Sequence, residues 1–243
     1  MKSMTPVALA FVAALFAAPT PSLAQDYAAI IAAPDRADAD RQTDQRRDPV
    51  KLLTFTGVKT GMKVLDMGAG GGYSTELMAR AVGPTGKVYG QDFETAARAK
   101  ERFEARMKTD AMKNVVALAR PFDDPLPAEV NNLDLITFFF FYHDTTYMMV
   151  DRAAMNKKLF AALKPGGLLI IADHSAKAGA GTTVGKTLHR IEESALRSEV
   201  EAVGFKLAAS ADFLRHPEDP RDERVFQPKV PVDEFVLKFQ KPN

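Results

Sequence analysis

Residues 64–73 read VLDMGAGGGY, and this stretch decides the fold. A short apolar run ends in the acid Asp66. Glycines follow at 68, 70 and 72, and STELMARAV at 74–82 then has the composition of a helix. Glycine at such a turn lets backbone approach a ligand and supplies dihedrals closed to other residues. The dinucleotide fingerprint G-x-G-x-x-G would need glycine at 73, where Tyr73 stands, and no lysine follows the cluster as a phosphate loop requires. A phosphate-bearing ligand is disfavoured. Asp66 points the same way, because a carboxylate beside the turn repels a pyrophosphate and suits a ligand with a cationic centre or an ammonium group. A second acid, Asp92, ends the next strand (GKVYGQD, 86–92). A carboxylate placed there can accept both hydroxyls of an adenosine ribose.

Working outward, strand and helix patterns alternate. The spacing predicts a long helix over 93–112 and strands over 114–119 and 133–141. A helix over 147–163, a fifth strand LLIIAD, and a helix over 186–203 follow. FKLAAS and DEFVLKFQ close the chain as strands with no helix between them, which suggests an antiparallel hairpin at a sheet edge. Continuous apolar strands between helices imply a parallel sheet covered on both faces. The expected fold is α/β: a Rossmann-like, doubly wound sheet with helices on both faces.

VLDMGAGGGY, GQD at 90–92, LDLITF at 133–138 and LKPGGLLIIADH at 163–174 together resemble the class I S-adenosylmethionine-dependent methyltransferases. The resemblance runs in order over about residues 50–209, with DEFVLKFQKP similar to the closing strand of that fold. It implies a seven-stranded sheet, mostly parallel with an antiparallel last strand, and S-adenosyl-L-methionine over the strand ends. By the same resemblance Asp66, Gly68, Gly70 and Gly72 hold the methionine part and Asp92 the ribose. The family's Gly-Asp pair after the third strand is missing. ARPFDDPLP stands there, so Asp123 or Asp124 substitutes beside the adenine, or Phe122 packs the base; Asp123 is preferred. More narrowly, the chain resembles exported members of the family.

Three of the four histidines lie where an open α/β sheet binds ligands or in the segment beyond. His143 follows the fourth strand, His174 the fifth, and His189 sits in KTLHRIEE. One reading makes His143 or His174 a general base, since imidazole titrates near neutral pH. A second has His143, His174 and His189 bind a metal such as zinc with Asp144 or Asp173. A third leaves them as hydrogen-bonded loop residues. The reading taken forward names His143, His174 and Tyr142 as catalytic candidates and assigns no metal. Arg190 with Glu192 and Glu193 is expected on a helix face, with substrate contact as the alternative. His216 lies in the segment 210–232, a candidate cover for the substrate pocket or a surface loop.

The 243 residues are 46% hydrophobic and 26% charged, ordinary values for a soluble globular chain. Thirty-two basic residues balance 31 acidic ones, so no global basic field points to nucleic acid. Cysteine is absent, which removes disulfides, thiolate metal sites and a cysteine nucleophile. Residues 1–24 read as a cleavable signal peptide: Lys2, an apolar run from Val7 to Ala18, Pro19 and Pro21, then Ser22-Leu23-Ala24. Cleavage after Ala24 and a periplasmic or secreted location are expected, with no membrane attachment afterwards. Residues 25–60 are expected as an arm of helices over the cofactor site, and 61–243 as the methyltransferase domain. The expected partner is a small-molecule methyl acceptor; the oligomeric state is left open. The rival reading is an exported, non-catalytic protein of the same fold that binds an adenosine-like ligand or a protein partner.

Overall fold

A computed structural model describes residues 25–93 and 97–243. The expected signal peptide falls outside the described residues. Three helices lead in: α1 (Tyr27–Ala32), α2 (Asp38–Arg47) and α3 (Pro49–Thr56). Pro49 opens α3 at a position where no backbone donor is needed, and Asp48 caps it. The domain then runs β1 (Lys63–Met67), α4 (Tyr73–Val82), β2 (Lys87–Asp92), α5 (Ala97–Arg106), β3 (Val115–Ala119) and β4 (Leu133–Phe139). It continues through α6 (Arg152–Ala162), β5 (Leu163–His174), α7 (Gly185–Leu188), α8 (Glu193–Glu201), β6 (Lys206–Ala211) and β7 (Glu234–Gln240).

The seven strands pair in the order β3-β2-β1-β4-β5-β7-β6. Strands β1 to β5 are mutually parallel, while β7 is antiparallel to both β5 and β6. The expected closing hairpin exists, but β7 inserts inside the sheet and β6 takes the edge. Alternation along the strands sends side chains into two cores. Leu65, Ile136, Phe138, Leu169 and Leu237 pack beneath α6 and α8. Val64, Leu135, Ile170 and Val236 pack beneath α3 and α4.

Three expected helices are shorter: the one expected over 147–163 begins at Arg152, capped by Asp151. Helix α5 ends at Arg106, and a single 3-10 turn at Asp110–Met112 follows it. The helix expected over 186–203 is broken at His189, which adopts φ +54°. The break has a packing cause. Ile191 is fully buried and bridges to Ser175, and Arg190 is drawn inward to Asp219, so the chain crosses the sheet end as an extended segment.

Candidate active site

The turn after β1 sits at the C-terminal end of the sheet, between two cavities of about 690 and 430 Å³ that share Ala69 and Gly70. Gly70 has φ +52°, and a side chain there would meet no atom nearer than 3.9 Å, so its backbone faces open space. At Gly68 a Cβ would stand 3.0 Å from Phe141, so that position is small because the chain after β4 packs on it. Gly72 caps α4.

Asp92 ends β2 and lines the smaller cavity with Gly90, Phe93, Phe103 and Leu118. Its Oδ2 accepts the Gly70 N–H at 2.7 Å and its Oδ1 the Phe93 N–H at 2.7 Å. Each carboxylate oxygen keeps acceptor capacity for a further donor. Residues 25–60 supply one wall of the larger cavity through Asp40, Thr43, Arg46 and Arg47. Phe139, Phe140, Phe141 and Tyr73 line it as well. The Arg47 guanidinium lies 4.3 Å from the Phe140 ring centre and 5.4 Å from that of Tyr73, within cation–π range. Arg106 closes the floor through ion pairs to Asp40 and Glu76.

Asp66 is placed differently from the expectation. It is fully buried, and its carboxylate accepts hydroxyl hydrogens from Ser74, Thr75 and Thr137 at 2.7–2.8 Å. Burial pushes its pKa up against the pull of those donors. It lines neither cavity, so it ties β1, β4 and the start of α4 together and shapes the turn from beneath. Asp123 also lines neither cavity. Phe122 is buried in the core against Phe138 and Phe141, and Asp124 pairs with Arg120 and Lys158.

The catalytic candidates are corrected more sharply. Phe140 takes φ +58°, a rare conformation for an aromatic residue, and its N–H donates to Ala172 at 2.7 Å. That turns the chain under the sheet end. Tyr142 is swept into the core, where its hydroxyl donates to Glu199 at 2.9 Å and accepts from Asn156 at 2.8 Å. It faces α6 and α8, away from the cavities, and burial raises its pKa.

His143 is 2% exposed and enclosed by carboxylates. Its Nδ1 lies 2.6 Å from Asp173 and its Nε2 lies 3.2 Å from Asp144. Burial alone would lower its pKa, but Asp173 and Asp144 raise it to about 10. With a carboxylate on each ring nitrogen and no place in either cavity, His143 is not positioned as a general base. His174 is held neutral instead, and it too lines neither cavity. Burial, against the pull of Asp173, lowers its pKa to about 3. Its Nδ1 stands 2.9 Å from Glu234 without the alignment of a hydrogen bond.

Arg47 and the buried Arg190–Asp219 pair are organising groups with no local signal in the sequence. Arg190 donates to both Asp219 oxygens, to Ser175 and to Glu223, so it anchors the segment before β7 and lies on no exposed helix face. His216 stands within that anchored segment, where its N–H donates to Asp233.

Residues 58–210 match the Methyltransferase domain family, well over half of the chain. The chain belongs to this family. A demethylmenaquinone methyltransferase of Lactococcus lactis is 32% identical over 125 residues, covering 51% of this chain and 47% of that protein. One from Staphylococcus aureus is 35% identical over 126 residues, covering 51% and 48%. The chain thus spans about half the length of these curated relatives. Among solved structures, a SAM-dependent methyltransferase from Aquifex aeolicus aligns with a TM-score of 0.60 at 20% identity, over 85% of this chain and 100% of that one. The cyclase SpnF aligns equally well, with a TM-score of 0.60 at 17% identity over 84% and 81%. The methyltransferase fold is shared, and family and fold together support S-adenosylmethionine as cofactor.

Proposed function

We propose that the chain transfers a methyl group from S-adenosylmethionine to a small-molecule acceptor seated in the larger cavity. The observation that carries this reading is the junction of the two cavities at Gly70, where the turn's N–H meets the Asp92 carboxylate. Asp92 would take the ribose hydroxyls, with the adenosine against Phe93 and Leu118. The turn 68–72 would hold the methionine part. When bound, the sulfonium would supply an electrophilic methyl carbon, and in-line attack by an acceptor there would release the thioether, S-adenosylhomocysteine. What remains for the chain is to position the acceptor and exclude water. Phe139, Phe140, Phe141 and Arg47 form the wall suited to that.

His143, His174 and Tyr142 line neither cavity, so none of them is placed to take a proton from an acceptor. A base matters only where the nucleophile carries a proton. The reading therefore favours acceptors that are already ionised or intrinsically nucleophilic. The curated relatives' name makes a short-chain demethylmenaquinone analogue the first acceptor to try.

The test uses methyl-labelled cofactor with the full chain and a cell extract, separated afterwards into small-molecule and protein fractions. Label in the small-molecule fraction, lost in Asp92→Ala, is expected. Label confined to the protein fraction would overturn the acceptor class.

A further inference from the structure

We infer that His143, Asp144 and His189 form a binding site for a divalent transition metal, with zinc the best match to the donor set. His143 and Asp144 belong to the 3-10 turn Tyr142–Thr146 after β4, and His189 caps the single turn α7. The break in the expected helix brings the last of them in. Nε2 of His143 lies 3.2 Å and Nδ1 of His189 3.0 Å from the same Asp144 Oδ1. The three donor atoms all fall within 4.8 Å of one another. Donors in a four-coordinate zinc shell with bonds near 2.0–2.1 Å stand about 3.3 Å apart. The side chains need only small rotations to meet an ion.

The surroundings match a metal site as well. The other nitrogen of His143 is held at 2.6 Å by Asp173, a fully buried carboxylate whose second oxygen accepts the His143 backbone N–H at 2.8 Å. A carboxylate behind a ligating histidine fixes the ring and aims its free nitrogen at the ion. Tyr147 donates its hydroxyl to Asp144 at 2.5 Å and steadies that ligand too. Two imidazoles and one carboxylate leave a fourth position open for water or a ligand atom. Two features oppose binding: the proton that His143 Nε2 holds toward Asp144 must leave when that nitrogen takes the ion, and Arg224 Nη2 lies 3.3 Å from His189 Nε2, which must carry the proton once Nδ1 binds metal. Arg224 is exposed and can swing aside. His174 is excluded from the set, because its Nδ1 faces Glu234. The inference does not depend on methyl transfer, since metal binding is measured without cofactor or acceptor.

The experiment strips the full chain with a chelator and titrates Zn²⁺ by calorimetry, with Co²⁺ absorption as a check on coordination. One ion per chain is expected, with Kd of about 1 μM or tighter. His189→Asn keeps a residue that tolerates the left-handed backbone and should weaken binding by at least about tenfold. Asp173→Asn should weaken it while leaving all three ligands in place, and His216→Ala should change nothing. The visible bands of four-coordinate Co²⁺ should appear in the wild type and vanish in His189→Asn. Absence of saturable Zn²⁺ binding in the wild type would overturn the site. Equal binding by His189→Asn would do the same, and would mark the three residues as a hydrogen-bonded knot.

Discussion

The N–H of Gly70 donates to the Asp92 carboxylate at 2.7 Å, so the turn after β1 and the acid ending β2 form one unit. That bond joins two motifs 22 residues apart and aligns them at the boundary of both cavities.

Gly70→Ala tests the turn itself. The backbone is left-handed there, so alanine should cost about 1 kcal/mol of stability, measured by urea unfolding. Its methyl group would occupy the open space at the cavity junction. Cofactor affinity should fall by more than about tenfold, or about 1.4 kcal/mol. Unchanged affinity would mean that the ligand does not cross this turn.

Tyr142→Phe separates a structural hydroxyl from a catalytic one. Removing it leaves the buried Asn156 short of a partner, at a cost of about 1–3 kcal/mol, while Glu199 keeps its ion pair with Arg152. The methylation rate and cofactor affinity should stay as they are. A lower rate at unchanged stability would return Tyr142 to the reacting centre.

Acid stability should depend on Asp219. Burial would raise its pKa, but the N–H groups of Asp233 and Arg221 and the Arg190 guanidinium together hold it below the usual carboxylate range. A depressed native pKa stabilises the fold above the unfolded value, near 3.9, and that stability is lost as pH falls through the native value. Asp219→Asn strands the buried Arg190 and should cost about 3–5 kcal/mol near neutral pH. It should also flatten the fall in stability below about pH 4. An unaltered acid profile would show that the pair does not anchor the segment before β7.

How much of this was legible in the sequence follows from the range of the interactions. The succession of strands along the chain up to β5 and the VLDMGAGGGY turn are local patterns, readable from alternation and glycine spacing. Asp92 was readable for the same reason. The fates of Tyr142 and His143 were not, because they hang on the left-handed turn at Phe140, and no local preference calls for an aromatic residue there. His189 looked helical because its neighbours are good helix formers. What breaks the helix is tertiary: Ile191 pairs with Ser175, and Arg190 reaches an acid 29 residues away. Chain order puts Asp66 beside the turn but carries no sign of its face, because the three hydroxyls that converge on it come from β4 and α4.

Export is proposed from residues 1–24 alone. Mass spectrometry of the chain expressed in a bacterial host should show a mature N-terminus at Gln25. A chain retaining residues 1–24 would contradict the signal reading and leave the site unaffected.

Calorimetric titration of S-adenosylmethionine and S-adenosylhomocysteine into the wild type and Asp92→Ala bears most directly on the central claim. Wild-type binding in the micromolar range, about −8 kcal/mol, is expected, with a loss of more than about tenfold in the folded variant. Equal affinity in the two proteins, or no binding to the wild type at millimolar ligand, would contradict that claim.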